Sequence, residues 1–163
     1  SMVKEMLDFG RPLQVQTTTE SLNSLAGECV EMSRPIAEKH RVEIKTEFDP
    51  QLLPQSLDEN RIKQVITNLI TNAIQASSPE KTVWVQTRKE RHRTVLNVSD
   101  CGCGINEEDQ EKIFEPFFST KKEGTGLGLP IVKKIVEAHN GSVSMHSNPD
   151  GGVTFSVRLP AGK

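Results

Sequence analysis

The hydrophobic positions of this chain follow two periods, and the changes between them mark out its elements. Leu22, Leu25, Cys29 and Met32 recur every three or four residues, the spacing of one helix face. Thr17, Thr18 and Thr19 offer N-caps ahead of that stripe, and Pro35 predicts a kink or a new turn within it. Over 41–48, Val42, Ile44 and Thr46 alternate with charged residues, which predicts a half-buried strand. A loop, DPQLLPQS, follows. Helical spacing returns over 58–77, with Asp58 as the N-cap. Residues 82–90 and 92–100 alternate and predict an antiparallel pair turning at Arg91. A short acidic helix is expected over 106–113, and no period is visible over 114–127. Residues 130–139 are amphipathic, with Gly141 available as the C-cap. Two last strands, SVSMHS and VTFSVRLP, flank an NPDGG turn. At the other end, Val3, Met6 and Leu7 show helical spacing over 2–9 that stops at GRP.

The order α-β-α-β-β-α-loop-α-β-β groups strands in hairpins with helices between them. The expected fold is therefore an α+β sandwich, one sheet covered on one face by helices, and not the regular alternation of a doubly wound sheet. Composition narrows function more than fold. The 163 residues, 34% apolar and 26% charged, suffice for one domain with a core. A net charge of −2, 4% aromatics and no block of five basic residues give nucleic acid nothing to hold. No apolar run approaches about 18 residues and no signal-type segment opens the chain, so no membrane contact is expected. Three cysteines are too few for a disulfide framework and fit a reducing compartment.

Three stretches carry candidate chemistry. In RIKQVITNLITNAIQA, Ile62, Ile66, Leu69 and Ala73 form one face, while Arg61, Gln64, Asn68, Asn72 and Gln75 form the other. A solvated face would favour Lys and Glu. Two asparagines four residues apart cost helix stability, and a ligand facing them explains their presence better. An amide oxygen suits a hard cation already balanced by phosphates. In VLNVSD, alternation puts Asp100 on the face of Leu96 and Val98, where a carboxylate needs a partner: an N-cap, an Arg, or a ligand amine. Gly102 and Gly104 follow, with room for backbone approach. In KKEGTGLGLP, Gly124, Gly126 and Gly128 lead into a helix start, an arrangement that binds anions, with Lys121 and Lys122 adding charge. Neither a Walker loop nor a dinucleotide fingerprint is present. Cys101 and Cys103 lack the spacing and the extra ligands of a zinc site and read as small fillers beside Asp100.

Taken in order, these pieces resemble the catalytic ATP-binding domain of bacterial sensor histidine kinases, whose superfamily also holds gyrase, heat-shock chaperone and mismatch-repair ATPases. NLITNA is similar to the N box, DCGCGI to the first glycine box, FEPFF to the F box, GTGLGL to the second glycine box and GGVTF to the closing glycine motif. The run from Phe117 to Gly141 resembles the nitrogen-regulation subgroup. The resemblance implies a two-layer Bergerat-type sandwich with one mixed, mainly antiparallel sheet covered on one face by about three helices. It also implies ATP and Mg²⁺. Asn72 would hold Mg²⁺ through its side-chain oxygen, with Asn68 near the phosphates, and Asp100 would accept from the adenine amine, with Thr154 helping through water. Gly102, Gly104 and Ile105 would shape the base pocket. Residues 114–127 would form an ATP lid, in which Phe118, Lys121, Lys122, Thr125, Gly126, Leu127, Gly128 and Leu129 would contact nucleotide. Gln75 stands where many members have Lys or Arg, so Lys121 or Lys122 is the expected replacement.

The four histidines are followed by Arg41, Arg93, Asn140 and Ser147, and none matches the phosphoacceptor pattern. His40 and His139 read as helix-end residues favoured by the dipole, His92 and His146 as ordinary strand positions. MLDFGRPL resembles the end of a dimerisation and phosphotransfer helix, so residues 1–12 are assigned to that domain and 13–163 to the ATP-binding domain. These 163 residues are expected to bind MgATP without phosphorylating themselves. The implied partners are the dimerisation domain of the same protein and a response regulator receiver domain. The implied location is cytoplasmic, with the parent open to anchoring in the bacterial inner membrane. Two alternatives stand beside this reading: a stand-alone serine kinase of the anti-sigma type, and a non-catalytic nucleotide-sensing module.

Overall fold

The computed structural model describes residues 13–102, 104–105, 107–110, 112–115, 128–149 and 151–162; the expected helix over 2–9 lies outside them. In chain order the elements are β1 (Thr18–Glu20), α1 (Leu22–Lys39), β2 (Glu43–Glu47), β3 (Gln55–Leu57), α2 (Glu59–Ala76), β4 (Thr82–Glu90), β5 (Arg93–Ser99), α3 (Glu107–Gln110), α4 (Gly128–Ala138), β6 (Ser142–Ser147) and β7 (Val153–Pro160). Five strands form one mixed sheet in the order β2-β4-β5-β7-β6. β2 runs parallel to β4, and the other pairs are antiparallel.

Register explains how the sheet buries one face. Val85 pairs with Val98, and Val98 with Phe155; Thr87 pairs with Leu96, and Leu96 with Val157. Paired residues share a face, so these side chains form one buried layer, apolar except for Thr87. α1, α2 and α4 cover it with Leu25, Ala26 and Cys29, with Ile62, Ile66 and Leu69, and with Val132, Ile135 and Val136, all in one buried cluster. Lys63 of α2 ties α1 to it through Glu28 at 2.8 Å and also meets Glu59 at 3.1 Å. Those two bonds, Glu28 first, push its pKa up to about 12. No helix among the described residues is long and apolar enough to cross a membrane.

Several local expectations change. α1 runs through Pro35 without interruption. Pro35 is exposed, and so is Glu31, the residue whose carbonyl it leaves unbonded, so water can serve there. The α1 N-cap is Ser21, whose hydroxyl accepts from the Ser24 N–H at 3.2 Å, while Thr18 and Thr19 belong to β1. β1 pairs antiparallel with β3, a strand inside the expected loop. Asp58 does cap α2, accepting from the Arg61 N–H. Glu90 pairs with Arg93, so His92 shares the hairpin turn with Arg91 and is not a strand residue. The short acidic helix is one turn, Glu107–Gln110, with Ile113 buried just beyond it.

The end of α4 differs in two ways. The left-handed residue there is Asn140, at φ 62, and the Gly141 N–H closes the helix on the Val136 carbonyl at 3.0 Å. Gly141 is required for another reason: a Cβ there would lie 2.2 Å from the Arg158 carbonyl oxygen of β7. His139 is buried rather than a cation at an exposed helix end. Its Nε2 lies 3.0 Å from the Asp58 N–H and must accept, so Nδ1 carries the proton and donates to the Ile135 carbonyl at 2.8 Å. A neutral imidazole thus joins the end of α4 to the start of α2.

Candidate nucleotide-binding site

The site residues gather where β5 ends beside the C-terminal half of α2. Asp100 is one residue past β5 and only 5% exposed. Its Oδ1 accepts from the Gly102 N–H at 3.0 Å and the Val153 N–H at 3.1 Å. Two backbone N–H groups thus aim the carboxylate, which suits it to accept from a ligand amine. Gly102 then bridges to Ser77 just after α2. A Cβ at Gly102 would stand 2.1 Å from the Ala76 carbonyl oxygen. The glycine therefore lets the loop lie against α2, whereas the sequence suggested room for a flat ligand. This contact sits one helical turn beyond Asn72, which is half-buried like Asn68 one turn before it.

Gly104 has φ +78 and no described residue near its Cβ direction, so backbone conformation is what calls for glycine there. Ile105 and Leu129 are partly buried against the core cluster. The Ile105 carbonyl accepts from Gln110 Nε2 at 3.2 Å. Phe114 packs edge-on against Phe155, ring centres 6.3 Å apart, which anchors the start of the F box to the sheet. Gly128 opens α4. Phe118, Lys121, Lys122, Thr125, Gly126 and Leu127 lie outside the described residues.

Thr154 is not placed as expected. It pairs with Ser99, while its neighbour Phe155 points into the core, so Thr154 lies on the sheet face opposite the Asp100 carboxylate. Its hydroxyl donates to Asn148 Oδ1 at 2.7 Å and lies 2.7 Å from Ser99 Oγ. Asn148 in turn donates from Nδ2 to the Asp100 carbonyl at 3.1 Å. Nothing in the sequence distinguishes Asn148, because an Asn ahead of Pro-Asp-Gly-Gly is an ordinary turn residue. Gly152 also presses on the site: at φ +86, a Cβ would fall 2.2 Å from the Asp100 carbonyl oxygen. Cys101 is exposed and unbridged, and Cys29 is buried, which pushes its thiol pKa up. Among the described residues no three His, Cys, Asp or Glu side chains cluster as metal ligands. The oxygen donors that suit Mg²⁺ here are the amides of α2, in keeping with a cation shared with phosphates.

Residues 57–163 match the family of histidine kinase-, DNA gyrase B- and HSP90-like ATPases. The chain belongs to this family. Within it, the signal transduction histidine-protein kinase AtoS of Escherichia coli K12 is 37% identical over 160 residues, 98% of this chain and 26% of that protein. The nucleotide-free catalytic domain of the histidine kinase ThkA is 34% identical, with a TM-score of 0.83 over 90% of this chain and 97% of that one. ThkA in complex with the response regulator protein TrrA is 31% identical, with a TM-score of 0.85 over 99% of this chain and 46% of that one. The chain spans about a sixth to a third of the curated relatives it matches. It is the catalytic ATP-binding domain of a sensor histidine kinase, and the α+β sandwich with its mixed sheet is the fold of that domain.

Proposed function

We propose that this domain binds MgATP and presents the γ-phosphoryl group to a histidine carried by another domain of the same sensor kinase. The observation that carries the reading is Asp100: a buried carboxylate, fixed by two backbone N–H groups, beside a helix face of amides. Asp100 accepts from the exocyclic amine of adenine, and Gly102, Gly104 and Ile105 form the floor under the base. Asn72 holds Mg²⁺ through its side-chain oxygen, with Asn68 near the phosphates. When bound, Mg²⁺ supplies neutralisation of phosphate charge. Gly128 and Leu129 bring the positive end of α4 toward the phosphates. Phe118, Lys121, Lys122, Thr125, Gly126 and Leu127 are proposed as further nucleotide contacts. The domain's work is positioning and electrostatics, and the nucleophile comes from elsewhere.

The partners in this reading are the protein's own dimerisation and phosphotransfer domain and a response regulator receiver, the latter supported by the ThkA–TrrA complex. The location is the cytoplasm. Calorimetry with ADP and with a non-hydrolysable ATP analogue, with and without Mg²⁺, tests the binding step. Binding is expected, and no heat with either nucleotide overturns the reading. Asn72→Ala should abolish the Mg²⁺ dependence of analogue binding while leaving adenosine affinity close to the parent value. Incubated with γ-labelled ATP, these 163 residues are expected to remain unlabelled. Label on any of the four histidines would show that the acceptor lies within the chain.

A further inference from the structure

We propose that Asn148 is a positioning residue for base recognition: its carboxamide fixes the main chain of Asp100 and, through it, the direction of the Asp100 carboxylate. The inference rests on Asp100 being the adenine acceptor. The orientation of Asn148 follows from its partners. The Asp100 carbonyl oxygen can only accept, so the group 3.1 Å from it is Nδ2. Oδ1 then accepts from the Thr154 hydroxyl at 2.7 Å. That spends the Thr154 proton, so Ser99 Oγ, 2.7 Å away, donates to Thr154. Each hydroxyl and amide proton in this chain of bonds has one direction. The backbone of Asn148 is held as well, its N–H on the Gly152 carbonyl at 3.0 Å and its carbonyl on the Gly151 N–H at 3.1 Å.

The gripped carbonyl matters because of what lies two residues on. Asp100 Oδ1 accepts from the Gly102 N–H, an Asx-type turn that closes only while the peptide unit between Asp100 and Cys101 keeps its orientation. The Asn148 side chain grips that unit. Without its Nδ2 the peptide can rotate, the turn opens, and the carboxylate keeps its Val153 N–H but loses its fixed direction. The bond from the Asn148 side chain to Asp100 is made at the main-chain carbonyl.

The test is the ratio of dissociation constants for IDP and ADP, since inosine replaces the amine by a carbonyl. The parent chain is expected to prefer ADP, and Asn148→Ala to shrink that preference about two- to tenfold, the effect of one hydrogen bond. Asn148→Asp keeps the shape and the Thr154 bond, so it should fold; lacking the Nδ2 donor, it should shrink the ratio at least as much. A merely structural role would lower Tm and leave the ratio unmoved. If Asn148→Ala does not fold, Asn148→Asp decides. If the parent shows no preference for ADP, or Asp100→Asn retains it, the assignment of Asp100 fails. If the parent prefers ADP, Asp100→Asn abolishes the preference and Asn148→Asp keeps the parent ratio, the role of Asn148 alone is overturned.

Discussion

Asp100→Asn should weaken ADP binding by roughly 10- to 150-fold, with little change in stability, and should weaken IDP binding far less. The magnitude is that of one charge-assisted hydrogen bond, about 1.5–3 kcal/mol. The amide keeps an oxygen for the Gly102 and Val153 N–H groups, so the local fold is retained. It would place an NH₂ where the second carboxylate oxygen was, and in the proposed binding mode that donor would meet the donor of adenine. A base with a carbonyl at that position tolerates the exchange. Asp100→Ala is a different experiment: it leaves two backbone donors without their acceptor, at about 1–3 kcal/mol each, so it should lower stability as well as affinity. Calorimetric titration of both nucleotides, with Tm measured alongside, separates the two effects. An ADP affinity unchanged in Asp100→Asn would place the base elsewhere.

What could be read in the sequence, and what could not, follows from the range over which each signal acts. α2 is legible because 18 residues give its apolar stripe five turns to repeat. The β4–β5 hairpin is legible because nine and seven residues alternate on either side of two turn residues. β1 and β3 have three residues each, too few to express any period, and they exist because distant segments pair. The parallel match of β2 with β4 is equally silent, since alternation reports a strand's faces and not its neighbour. Pro35 misleads because its cost depends on whether the freed carbonyl is buried, and that is a tertiary fact. At the site, Asp100, Gly102 and Gly104 stand out by residue type and spacing. Asn148 and the true side of Thr154 do not, because both depend on which strand lies beside β5.

Gly152→Ala should be the most damaging single-methyl change in the described site, costing about 2–5 kcal/mol. About 1–2 of this is for forcing an L-residue to positive φ, and about 1–3 for overpacking. Gly151→Ala is the control that separates the two. Both glycines have positive φ, +92 and +86, so both alanines carry the backbone strain. At Gly151 the nearest heavy atom to the new methyl is the Gly102 carbonyl oxygen at 3.6 Å, an ordinary contact. At Gly152 the methyl would lie 2.2 Å from the Asp100 carbonyl oxygen and 2.8 Å from its carbonyl carbon and Oδ1, all backbone or pinned atoms that cannot swing aside. Relief requires moving either the β6–β7 turn or Asp100, and each breaks bonds made by Val153, Gly102 or Asn148. Gly152→Ala is therefore expected to lower Tm by roughly 4–20 °C, at about 2–4 °C per kcal/mol for a chain of this size. The fraction that stays folded should bind ADP more weakly than Gly151→Ala does. Equal stability and equal ADP affinity in the two variants would mean that the turn does not press on Asp100.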